Sequence, residues 1–145
     1  DNKTWSEEIP AKTNAGTYKV YIKVDGNEEY EDYSTSVSVN IAKNTNPIIL
    51  SSTSEKITNA DFLNFTIASF KDGELYTLTT SDSSVTTASL SGNAVKVTAG
   101  KEGVAAIAVK RNATSNSTAS SATFTVDVGH KYVNGTCQRC GEKDR

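Results

Sequence analysis

The chain has no methionine, two prolines, one tryptophan and one histidine in 145 residues. The single histidine stands at position 130, so no Ser–His–Asp arrangement can form within the body of the chain. No G-x-S-x-G, phosphate-binding loop or H-E-x-x-H pattern occurs either, and we expect no enzyme. No apolar run approaches the ~18 residues of a membrane span, so no membrane insertion is expected. Basic residues form no stripe and the formal net charge is −2, which argues against nucleic acid as a partner. The hydrophobic share is only 36 %, so any core should be thin. The chain opens at Asp1 without a leader, and we expect it to be a piece of a longer protein.

What is abundant is serine and threonine, about a quarter of the chain. Threonine favours strands and serine favours turns. The segment "GTYKVYIKVDG" alternates: Tyr18, Val20, Ile22 and Val24 face one way, Lys19, Tyr21 and Lys23 the other. A period of two with one apolar side marks a half-buried strand. Asp25, Gly26 and Asn27 then offer a hairpin turn, and Val37, Val39 and Ile41 alternate with Ser36, Ser38 and Asn40. This is an antiparallel pair.

The stretch from Lys43 to Pro47 is polar, aperiodic and closed by proline, as at a domain boundary. Strands are expected beyond it over Ile48–Ser52, Leu63–Phe70, Glu74–Thr80, Ala94–Thr98, Val104–Lys110 and Thr123–Val128. Short strands separated by turn signals predict a β-sandwich. The expected core positions are Tyr18, Val20, Ile22, Val37, Val39 and Ile41 in the first part. In the second they are Leu63, Phe65, Ile67, Leu75, Val95, Val97, Ile107, Val109, Phe124 and Val126. Two strands cannot bury a core alone, so the first unit is expected to be incomplete.

Trp5, Ile9–Pro10, Asn14–Tyr18 and Ser36–Lys43 together resemble the second half of an Ig-like repeat of the MBG-like class, found in Gram-positive surface proteins. The resemblance implies another half-repeat upstream. The stretch "SSVTTASLSGNAVKVTAGKEGVAAIAVKR" and the closing "ATFTVDV" are similar to group 2 bacterial Ig-like domains. The resemblance thus implies tandem Ig-like sandwiches: a C-terminal half-repeat at 1–43, a sandwich at 44–128 and a short Cys/His tail at 129–145. The tail pattern H-x-Y-x-x-G-x-C-x-x-C-G recurs between modules of such surface proteins. Related tails carry another cysteine two residues before the histidine, and here that position is Val128.

The tail holds both cysteines. Zinc takes four ligands, usually thiolates and imidazoles, in a tetrahedron. Cys137 and Cys140, at C-x2-C spacing, can turn both sulfurs to one ion, and His130 is close enough to fold back. A fourth ligand would come from Glu142, Asp144, water or another chain. We expect a structural, zinc-ribbon-like site here. A Cys137–Cys140 disulfide and a tail of reduced cysteines stay open beside it.

The other candidate features have plainer readings. The acidic run over residues 25–32 lacks EF-hand spacing, because Tyr30 stands where glycine belongs, and reads as a solvated loop. Trp5, Tyr18, Tyr21, Tyr30 and Tyr33 read as packing residues more than as a sugar platform. Asn-x-Ser/Thr sequons at Asn2, Asn64, Asn112, Asn116 and Asn134 follow from the composition.

The function expected is a non-catalytic stalk or spacer of an extracellular, cell-surface or cell-wall protein. The alternatives are an adhesion module, in which a host glycan or protein is met here or through neighbouring modules, and an accessory module of a carbohydrate-active enzyme.

Overall fold

The computed structural model describes residues 5–144, so the Asn2 sequon lies outside the described residues. The described residues form strands and turns without a helix. One compact unit comprises the chain up to Asn44 with Ser115–Ser117. The other comprises Thr45–Thr114 and the chain from Thr118 onward.

In the first unit, β1 (Gly16–Val24) pairs antiparallel with β2 (Tyr33–Ile41). The register sets Tyr18 opposite Val39 and Val20 opposite Val37, so the apolar positions share one face. Burial does not follow. Ile22 is 46 %, Val37 51 % and Val39 43 % exposed, while Tyr18, Val20 and Ile41 are half-buried. The core expected there is corrected: among the described residues no second sheet packs on the two-stranded ribbon, and its apolar face is only partly covered.

The connection between these strands is also corrected. Gly26 does not adopt positive φ, and residues 25–32 form a longer loop. Asn27 organises it, accepting from the backbone N–H groups of Glu29 and Tyr30, while Asp32 accepts from that of Gly26. Glycine is needed because a Cβ at position 26 would lie 2.3 Å from the Tyr30 carbonyl oxygen. The unit is completed by Asn116, whose carbonyl accepts from Asn44 N–H at 2.8 Å and whose Oδ1 accepts from Ala15 N–H at 2.8 Å.

The second unit is a β-sandwich. One sheet runs β3 (Ser54–Ile57), β9 (Ser120–Val128), β8 (Gly103–Arg111), β5 (Tyr76–Thr80). The other runs β4 (Phe62–Thr66), β7 (Ala94–Ala99), β6 (Thr86–Ser91). All pairings are antiparallel except β3 with β9, which is parallel.

Period two explains the core. Val95 and Val97 from β7, Ile107 and Val109 from β8, and Phe124 and Val126 from β9 are all fully buried. Phe65 and Ile67 join them, and Phe65 stacks on Phe124 with ring centroids 4.2 Å apart. These rings come from opposite sheets and mark the middle of the core. Leu63 is half-buried against it.

Leu75 is the exception, at 71 % exposed. Strand β5 starts at Tyr76, and its half-buried residues are Tyr76, Leu78 and Thr80, so the alternation excludes position 75. The Ile48–Ser52 segment makes one bridge, Leu50 with Ile67, in place of a strand. The strand expected to reach Phe70 ends at Thr66, because the chain turns and Phe70 N–H donates to Ile67 O at 3.2 Å. Arg111, the last residue of β8 and the ladder partner of Tyr76, is buried, 3.4 Å from Glu74 and donating to Thr118 O at 3.2 Å.

Candidate metal centre

The turn between β7 and β8 is the first component. Gly100 and Lys101 donate backbone N–H groups to Val85 and Ser84 carbonyls at 2.8 Å. Gly100 has no alternative, since a Cβ there would lie 2.3 Å from the Ser84 oxygen. Glu102 follows directly in this held turn, with its side chain 39 % exposed.

The tail is the second component. Gly129 N–H donates to Ile57 O at 2.8 Å, extending the β3–β9 ladder by one bond. The chain then makes a small hairpin, β10 (Tyr132–Val133) with β11 (Thr136–Cys137). Asn134 and Gly135 both have positive φ, 50° and 73°, as a tight primed turn requires. Past β11 the backbone curls around the Cys137 sulfur: Arg139 N–H lies 3.4 Å from it, and Gly141 N–H donates to Cys137 O at 2.9 Å. Gly141 takes φ +78°, in the left-handed region that glycine enters without a Cβ penalty.

Arg139 seats this knuckle. Its guanidinium donates to the carbonyls of Thr58, Ala60 and Gly129. Lys131 adds an ion pair to Asp61 at 2.5 Å.

These supports bring Glu102, His130, Cys137 and Cys140 together, with one donor atom from each lying within 4.8 Å of the others. His130 Nδ1 is 2.7 Å from Glu102 Oε2 and 3.4 Å from Cys140 Sγ. Its Nε2 faces Glu142 Oε2 at 3.7 Å, and its ring stacks on Tyr132. Cys137 is buried, Cys140 is exposed, and both are free thiols.

The electrostatics suit a cation. Burial resists ionisation of Cys137, but N–H groups of Arg139, Cys140 and Lys131 and the His130 ring outweigh it, bringing the thiol down to about 6. For Cys140 a backbone bond from Glu142 favours the thiolate. Desolvation, the Cys137 sulfur and Glu102 prevail and push it up to about 11. Hydrogen bonding to the Cys137 sulfur, together with Glu102 and Glu142, holds His130 above its ordinary value against desolvation. The cluster therefore holds one thiolate readily and resists a second negative sulfur until a positive ion balances it.

All three ligands expected from the sequence, His130, Cys137 and Cys140, are in the cluster. Of the expected fourth ligands, Glu142 lies on the far ring nitrogen and Asp144 is not among the four. Glu102 was not foreseen, because it is remote in sequence and nothing in "AGKEG" marks a ligand. Position 128, two residues before His130, is a valine buried in the core.

The other candidates stay dispersed. Trp5 and Tyr21 line one shallow cleft of the first unit with Pro10, Lys19 and Val20, and Tyr18, Tyr30 and Tyr33 lie outside it. In the acidic loop, Asp25 and Asp32 are occupied by Lys23, at 2.5 and 3.7 Å. No family model, curated protein or solved structure matches this chain.

Proposed function

We propose that the chain is a non-catalytic stalk or spacer segment of a Gram-positive cell-surface or secreted protein, built to carry tension. The observation that supports this reading is the parallel pairing of β3 with β9, the first and last strands of the sandwich. Tension entering ahead of β3 and leaving after β9 pulls these strands in opposite directions along their length. Their hydrogen bonds lie across the force and are loaded together. An antiparallel pair pulled from adjacent ends would open one bond at a time.

Thr53 and Ile57 carbonyls accept from Thr125 and Gly129, so odd-numbered residues of β3 face β9. Glu55 is the middle one. Glu55→Pro removes a donor worth on the order of 1 kcal/mol and distorts the strand. In single-molecule pulling of the full chain, Glu55→Pro should lower the rupture force of the second unit, while Glu55→Ala, which keeps the N–H, should not. Equal forces for all three proteins would refute the load-bearing reading.

In the same reading the tail holds a structural zinc ion. Two thiolates, an imidazole and a carboxylate suit a borderline-soft cation better than magnesium or calcium. A tetrahedral ion with bonds of roughly 2.0–2.3 Å sets its donors roughly 3.3–3.8 Å apart, a small adjustment of the cluster. The ion would fix the knuckle and perform no reaction.

A further inference from the structure

We propose that Glu102 is the fourth protein ligand of this centre, so that one divalent cation clips the β7–β8 turn of the sandwich to the tail. This rests on the zinc reading of the tail and extends it from the tail to the whole second unit.

The two ring nitrogens of His130 separate the competing carboxylates. Nδ1 faces Glu102 at 2.7 Å and Cys140 Sγ at 3.4 Å, so carboxylate and sulfur converge on the same nitrogen. Nε2 points away, toward Glu142 at 3.7 Å. A carboxylate on the outer nitrogen is the usual orienting partner of a metal-bound imidazole. Glu142 therefore positions the ring, and Glu102 meets the ion. Glu102 Oε2 and His130 Nδ1, 2.7 Å apart, are both within reach of one ion.

The rest of the frame is prepared. The turn carrying Glu102 is held by the Gly100 and Lys101 backbone bonds, and the tail by Arg139. Hence the ion joins two segments that are close only in the folded unit. A cation bound this way favours the folded sandwich, and at about a hundred-fold excess over Kd it should raise the melting temperature by roughly 10 °C or more.

The test uses the full chain, stripped with chelator and titrated with zinc and with cobalt. Wild type should take up near-stoichiometric metal, show the visible bands of tetrahedral cobalt, and gain thermal stability. Cys137→Ser should abolish uptake. Glu102→Ala should melt like wild type without metal, bind at least about 10-fold more weakly, alter the cobalt spectrum and lose most of the thermal gain. Glu102→His, which restores a donor, should recover binding. Glu142→Ala should leave the cobalt spectrum tetrahedral. If Glu102→Ala binds and absorbs like wild type, or if Glu142→Ala alone shows the loss, the Glu102 assignment falls and the zinc reading stands. If wild type takes up no metal, both fall.

Discussion

Phe124 shows how much one side chain carries in a thin core. It is fully buried and stacks on Phe65 across the sheets, with only 17° between the ring planes. Phe124→Ala removes apolar area, leaves a cavity and deletes the stacking contact. We expect a loss of about 3–5 kcal/mol in urea unfolding followed by circular dichroism. Ordinary surface behaviour, below about 0.5 kcal/mol, would contradict this core. The same scale separates legible residues from hidden ones. Phe65, Val95, Val97, Ile107, Val109, Phe124 and Val126 could be placed inside because strand alternation assigns a face without knowledge of the partner. Leu75 was placed wrongly, because it has the opposite parity to Tyr76 and Leu78, the residues that β5 turns inward.

Among the elements, the two longest pairings differ in what covers them. Strand β8 lies between β5 and β9, with Ala105, Ile107 and Val109 buried. The β1–β2 ribbon has two edges and an apolar face on which Ile22, Val37 and Val39 stay exposed. Amide hydrogen exchange should therefore protect Ile107 and Val109 strongly and leave Val20 and Val37 exchanging orders of magnitude faster. Comparable protection would mean that another layer covers the ribbon. Both elements were readable from periodicity. Strands β3 and β6 were not: "SEKI" offers one buried apolar residue and "TTASLS" is mostly small and polar. They are strands because neighbours supply their ladder bonds, which is a tertiary cause.

At the level of the whole molecule, the ionic supports predict a response to acid. In the second unit the Asp61 carboxyl is held below its ordinary value, first by hydrogen bonding to Lys131. Asp82 is held down first by the Ser84 hydroxyl and next by the Ser84 N–H. In the first unit Asp32 is lowered, first by the Gly26 N–H. A carboxyl with a lower folded pKa contributes stability that is present above the unfolded value of 3.8 and disappears as pH falls through the folded value. The contribution of these carboxylates should thus be constant from pH 7 to about 5, and the melting temperature should fall below about 4 as they are lost. Asp61→Asn and Asp82→Asn should flatten that fall, each modestly, because both carboxylates are exposed. A wild-type curve flat down to pH 2 would contradict these contacts.

From the sequence alone came the class: alternation every two residues specifies strands and the face each one buries, because that pattern is local to the backbone. The C-x2-C spacing and the nearby histidine likewise confined three donors to one short loop, since a few residues of chain cannot carry them far apart. Tertiary structure decided the rest. It put β3 parallel to β9, left Ile22, Val37 and Val39 of the first ribbon exposed and brought Glu102 to the tail. Those outcomes depend on which distant segments meet, and a linear pattern does not encode the separation in space of residues that are far apart along the chain.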